Sequence, residues 1–120
     1  MKIIVVEDDE NIREVLKEYL RRMGHEVFSL RTGREALDVI RRQDGPFDVA
    51  CVDWQLPGIS GREVVHALLH QSSSTAIFIT TGLQPSNQEV LRAALQNKVQ
   101  VVQKPYSLHA LYQQILSVMR

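Results

Sequence analysis

Cysteine is nearly absent. Cys51 is the only one, which excludes an internal disulfide and any multi-thiolate metal site. It stands inside an apolar run and reads as a small buried hydrophobe rather than a reactive thiol. Long apolar runs are absent too: none approaches the roughly 20 residues of a membrane span. The apolar opening Met1-Lys-Ile-Ile-Val-Val6 is cut off by four consecutive acidic residues, Glu7 to Glu10, unlike a signal peptide. A soluble cytoplasmic domain with no membrane partner is expected. Net charge is missing as well. Fourteen basic and fourteen acidic side chains cancel, which argues against a broad electrostatic nucleic-acid surface. The second half is short of charge of either sign: residues 64–120 hold only Glu89, Arg92, Lys98, Lys104 and Arg120.

What is present is enough apolar material for a core, at 44% of a 120-residue chain, the usual size of one domain. It is arranged in an alternation. Ile3–Val6, Val49–Val52, Ala76–Ile79 and Val99–Val102 are short apolar runs, the pattern of strands buried on both faces. His25–Leu30 reads as a less apolar strand at an edge. Helical periodicity fills the gaps. Ile12, Val15, Leu16, Tyr19, Leu20 and Met23 form one stripe, closed by Gly24. Thr32-Gly-Arg-Glu35 fits a capping box ahead of Ala36, Leu37 and Ile40, and Ser60-Gly-Arg-Glu63 fits another ahead of Val64, Val65, Leu68 and Leu69. A third box, Ser86 to Glu89, opens a helix with Val90, Leu91, Ala94 and Leu95. Ser107 caps a last helix with Leu108, Leu111, Tyr112, Ile115, Leu116 and Met119. Five strand–helix pairs with short connections predict an α/β fold. The expected architecture is a flavodoxin-like, doubly wound, five-stranded parallel sheet of order 2-1-3-4-5 with five helices in a single domain.

Chemistry collects at the carboxyl ends of those runs. The first ends in Glu7-Asp8-Asp9, the third in Asp53, the fourth in Thr80-Thr81-Gly82, and the fifth in Gln103-Lys104-Pro105. In a parallel sheet these groups meet at one edge, where such folds bind ligands. Glu7, Asp8 and Asp53 cannot all stay ionised side by side without a cation. Oxygen-only ligands with room for water and a phosphate oxygen describe Mg²⁺. Mg²⁺, Lys104 and Thr81 would then stabilise a phosphoryl group held on Asp53 as an acyl phosphate. Asp9 and Glu10 read as favourable charges at a helix N-terminus. His25, His66, His70 and His109 stand away from these ends and read as solvated surface.

These segments, IIVVEDDENIREVL, DVACVDWQLPGISGREVV, AIFITTG and VVQKPYSL, resemble a response-regulator receiver domain. The resemblance runs over essentially the whole chain and makes residues 1–120 one receiver domain of two-component signalling. It implies that Asp53 takes a phosphoryl group from a phosphohistidine, on a sensor histidine kinase or a histidine phosphotransfer protein. The domain would then switch conformation to control a downstream protein or output domain, without binding nucleic acid itself. It would catalyse only its own phosphorylation and dephosphorylation and is not an enzyme of metabolism. The resemblance makes Asp8 and Asp53 metal ligands, with the main-chain carbonyl of Gln55 as a further ligand and Glu7 acting through water. Mg²⁺ is the implied ion, with Mn²⁺ as a substitute. Thr81, rather than Thr80, and Lys104 would contact phosphoryl oxygens, and the Lys104–Pro105 bond would be cis. Val101 departs from the family, which often has an aromatic switch residue there. The alternative is a non-phosphorylated pseudo-receiver that serves as a protein-interaction module.

Overall fold

Runs that are apolar at every position must be covered on both sides. The chain meets this requirement with β1 (Lys2–Val6), α1 (Glu10–Arg22), β2 (Glu26–Leu30), α2 (Gly33–Arg42), β3 (Val49–Asp53), α3 (Gly61–Gln71), β4 (Ala76–Thr81), β5 (Gln100–Gln103) and α4 (Leu108–Val118). The computed structural model describes residues 1–84 and 99–119. The helix expected after β4, with its box at Ser86 to Glu89, lies outside the described residues. The five strands form one sheet in the order β2-β1-β3-β4-β5, and every neighbouring pair is parallel. This is the flavodoxin-like arrangement that the alternation predicts.

Successive strand residues point to opposite faces, so each strand feeds two cores. Ile4, Val6, Ala50, Val52, Ile77 and Ile79 pack with Ala36 and Ile40 of α2 and Val64, Val65 and Leu68 of α3. Ile3, Val5, Val49, Cys51 and Phe78 pack with Leu16 and Leu20 of α1 and Leu111 and Ile115 of α4. All five residues of β3 are buried. Each fully buried Val, Leu or Ile side chain contributes about 1.5–3 kcal/mol, so β3 is firmly placed in the middle of the sheet. Burial pushes the Cys51 thiol up to about 12, in keeping with an inert core residue.

The caps fix where the helices begin. Asp9 accepts the Ile12 N–H as N-cap of α1, and Ser107 does the same for Ala110 at α4. Ser60 and Glu63 form a reciprocal box at α3. At α2 only half of the expected box is made. Thr32 accepts the Glu35 N–H, but the Glu35 carboxylate turns to the Thr32 hydroxyl instead of the backbone. Gly24, at φ 92°, takes the left-handed turn after α1.

β4 and β5 run further than the apolar runs, to Thr81 and Gln103, because ladder pairing of Asp53 with Thr80 and Thr81 with Gln103 continues past the last aliphatic residue. His25 is not solvated surface. It is half-buried, with Nδ1 3.0 Å from the Met1 amino group and Nε2 2.7 Å from the Tyr112 hydroxyl. His66, His70 and His109 are exposed as expected.

Candidate functional site

β1 and β3 are neighbours, and the chain leaves them toward opposite sides of the sheet, which opens a crevice at their carboxyl ends. Glu7 and Asp8 follow β1 and Asp53 ends β3. These three carboxylates each place an oxygen within 4.8 Å of the others. Glu7 and Asp53 are buried, at 3% and 4% exposure, while Asp8 faces solvent. Lys104, just beyond β5, reaches across the end of β4. Its Nζ lies 2.8 Å from Glu7 Oε1 and 3.3 Å from Asp53 Oδ2.

One ammonium against three carboxylates leaves the cluster over-charged. Burial, with the negative charge of Glu7 next, pushes the Asp53 carboxyl up to about 7, against the opposing pull of the Gln55 N–H and Lys104. Burial also works against the Lys104 ammonium, but its hydrogen bond to Glu7 and the charge of Asp53 hold its pKa above the usual lysine value. An all-oxygen set with surplus negative charge and one solvent-facing member fits a hard divalent cation that keeps part of its water shell. Glu7, Asp8 and Asp53 are the residues that could hold it.

The loop after β3 is organised around Asp53. The Gln55 N–H donates to Asp53 Oδ1 at 3.1 Å, and the Trp54 N–H donates to the Thr80 carbonyl at 2.9 Å. Gln55 thus enters the site by its N–H, a contact that the expectation of a carbonyl ligand did not include. Thr81 is fully buried at the end of β4; its hydroxyl accepts the Leu83 N–H at 3.0 Å, and the Lys104 N–H donates to its carbonyl at 2.7 Å. Lys104–Pro105 is cis, as expected. Glu7, Asp8, Asp53 and Lys104 are therefore brought together, with Thr81 on the adjoining strand end. Sequence reading missed Arg13. Its guanidinium donates to the Glu7 carbonyl at 2.9 Å, and the Asp9 N–H donates to Glu7 Oε2 at 3.1 Å, so the acidic turn is held from both sides. Its position one helical turn past the acidic run was the available signal.

Such a sheet, with carboxylates and one lysine at its carboxyl edge, defines the class of α/β domains that bind at the topological switch point. The chain belongs to the response regulator receiver domain family, whose model matches residues 3–116, and such domains are the regulatory receivers of two-component response regulators. It is 31% identical over 120 residues to the phosphate regulon transcriptional regulatory protein PhoB of Rhizobium meliloti, covering 99% of this chain and 52% of that protein. It is 30% identical over 121 residues to a cyclic di-GMP phosphodiesterase of Thermotoga maritima, covering 100% and 31%. The chain spans about half or less of the length of such curated relatives. Among solved structures, it is similar to the Vibrio cholerae chemotaxis protein CheY4, with TM-score 0.83, 28% identity, and 98% and 97% of the two chains covered. It is also similar to the response regulator TrrA from Thermotoga maritima in complex with Mg²⁺-BeF, with TM-score 0.79, 29% identity, and 98% and 99% covered. Among the described residues no helix is long and apolar enough to cross a membrane.

Proposed function

We propose that this domain is a phosphorylation switch whose acceptor is Asp53. The observation that carries this reading is the buried Asp53 carboxylate 3.3 Å from the Lys104 ammonium and within 4.8 Å of the Glu7 and Asp8 oxygens. In the transfer, one Asp53 carboxylate oxygen forms a bond to phosphorus. The bond from phosphorus to the donor's imidazole nitrogen breaks, and the imidazole leaves with its electron pair and takes up a proton. Mg²⁺, when bound, supplies positive charge that returns Asp53 to its ionised form and offsets charge on the phosphoryl oxygens. Glu7, Asp8 and Asp53 would hold it, with the Gln55 carbonyl as a further ligand; Mn²⁺ would serve in its place. Lys104 and Thr81 would contact phosphoryl oxygens, Lys104 by moving from its Glu7 contact. The Gln55 N–H orients Asp53 Oδ1 and leaves Oδ2 on the side of Lys104.

The donor would be a phosphohistidine on a sensor histidine kinase or histidine phosphotransfer protein in the cytoplasm. The phosphorylated form would act on a downstream protein or output domain. The chemistry is confined to the domain's own aspartate. Incubation with acetyl phosphate and Mg²⁺, followed by intact-mass measurement, tests the reading. A single phosphoryl adduct is expected, absent with chelator and absent in Asp53→Asn. An adduct that persists in Asp53→Asn, or forms equally with chelator, rejects it.

A further inference from the structure

The loop from Trp54 to Ser60 is pinned at its base. A Cβ on Gly61 would lie 2.3 Å from the Asp53 carbonyl oxygen and 2.8 Å from Trp54 Cα, so the start of α3 sits directly on the acceptor's own backbone. The Trp54 N–H is tied to the Thr80 carbonyl, and Leu56 is buried in the core. A second close approach braces this loop from outside. Gly33 is the first residue of α2, buried, and remote in sequence from the site. A Cβ there would lie 2.4 Å from the Ile59 carbonyl oxygen and 2.9 Å from both Ile59 Cβ and Cγ2. No left-handed φ requires glycine at position 33; the positive-φ glycines are Gly24, Gly45 and Gly58. The requirement at Gly33 is space against the loop.

We propose that Gly33 is a positioning residue for the acceptor: its contact with the Ile59 backbone, made without a Cβ, holds the loop over Asp53 in register. This rests on the acceptor reading. The physical argument is one of confinement. With alanine at position 33, the Ile59 carbonyl must retreat from 2.4 Å to at least 3.0 Å, about 0.6 Å. The backbone oxygen cannot swing aside as a flexible side chain would. The base of the loop is locked by Gly61 and Trp54, so the retreat is taken up between Gln55 and Gly58. That segment carries the N–H that orients Asp53 Oδ1. A misplacement of about 1 Å at reacting groups costs roughly 100-fold in rate, and about half of that displacement gives an expected loss of roughly tenfold. The penalty falls on the site rather than on the helix, because alanine is intrinsically the better helix former.

The test compares wild type and Gly33→Ala in three measurements. These are urea unfolding, Mg²⁺ affinity read from Trp54 fluorescence, and the rate of adduct formation with acetyl phosphate. The Gln55 amide resonance of the metal-free proteins adds a readout that needs neither metal nor phosphate. The expected result is a folded variant with a displaced Gln55 resonance, Mg²⁺ affinity lowered several-fold, and adduct formation slowed roughly tenfold at saturating Mg²⁺. A folded variant with wild-type resonance, affinity and rate overturns the inference. If Gly33→Ala does not fold, Ile59→Gly removes the Cβ and Cγ2 that pack against Gly33, frees the loop backbone at that point and leaves α2 intact. It must lower Mg²⁺ affinity, and unchanged affinity in that variant overturns the inference. A wild-type protein that neither binds Mg²⁺ nor accepts a phosphoryl group rejects the acceptor reading itself, and the positioning role with it.

Discussion

Replacing Asp53 with asparagine in metal-free protein should increase stability, and the increase should grow with pH. Asp53 is buried beside Glu7, and its carboxyl is raised from 3.8 to about 7. Because the folded value lies above the unfolded one, the folded state holds a proton that the unfolded state has released between about pH 4 and pH 7. The stability this contributes is fully present below about pH 4 and is lost as pH rises through about 7. Three pKa units correspond to about 4 kcal/mol, a large share of the 5–15 kcal/mol by which a domain is stable. Asparagine is nearly isosteric, still accepts the Gln55 N–H, and carries no charge. Its advantage over wild type should therefore widen by roughly 2–3 kcal/mol between pH 5 and pH 8. Urea unfolding of both proteins with chelator, at pH 5, 6.5 and 8, measures it, and the difference between the two cancels other titrating groups such as His25. Parallel pH profiles, or an asparagine variant less stable than wild type at pH 8, would refute the over-charged cluster.

Lys104→Ala leaves Glu7 and Asp53 without their ammonium; metal-free stability at pH 8 should fall by roughly 1–3 kcal/mol, while Mg²⁺ affinity by Trp54 fluorescence should hold or rise and adduct formation should slow. Abolished Mg²⁺ binding in folded Lys104→Ala would contradict the role given to that residue. Thr81→Ala removes the acceptor for the Leu83 N–H and should cost about 1 kcal/mol in urea unfolding, with a shorter-lived adduct in a mass time course. The second half of the chain offers little more than Glu89, Arg92 and Lys98 for a salt-bridged pair of domains, so sedimentation of beryllofluoride-treated protein should give a monomer at low and high salt. A tight dimer that dissociates as salt is raised would count against this.

Much of this molecule can be read from period and punctuation. Apolar runs such as Ile3–Val6 and Val49–Val52 announce strands covered on both faces, and the stripe from Ile12 to Met23 announces a helix. The polar groups that end four runs, carboxylates, hydroxyl and amine together, point to one edge of the sheet as the candidate site, whereas Asp9 alone is explained by its cap on α1. Contacts that depend on side-chain reach are not legible in this way. Lys104 lies closer to Glu7 than to Asp53, a preference that only the folded positions of the three side chains set. Histidine is equally at home on a surface or between two partners, so the bridge from Met1 through His25 to Tyr112 leaves no local signature. Gly33 is hidden for another reason. It sits inside a serviceable helix start, Thr-Gly-Arg-Glu, and only the packing of α2 on the loop reveals that Ile59 occupies the space a side chain would need.

The most direct measurement of the central claim is chemical identification of the modified atom. Protein treated with acetyl phosphate and Mg²⁺ is reduced with borohydride, which converts an acyl phosphate to the corresponding alcohol, and then digested and sequenced by mass. The account predicts homoserine at position 53 and at no other carboxylate. Homoserine at Asp8, 5-hydroxynorvaline at Glu7, or an unreduced phosphoryl group on a hydroxyl such as that of Thr81, would contradict it.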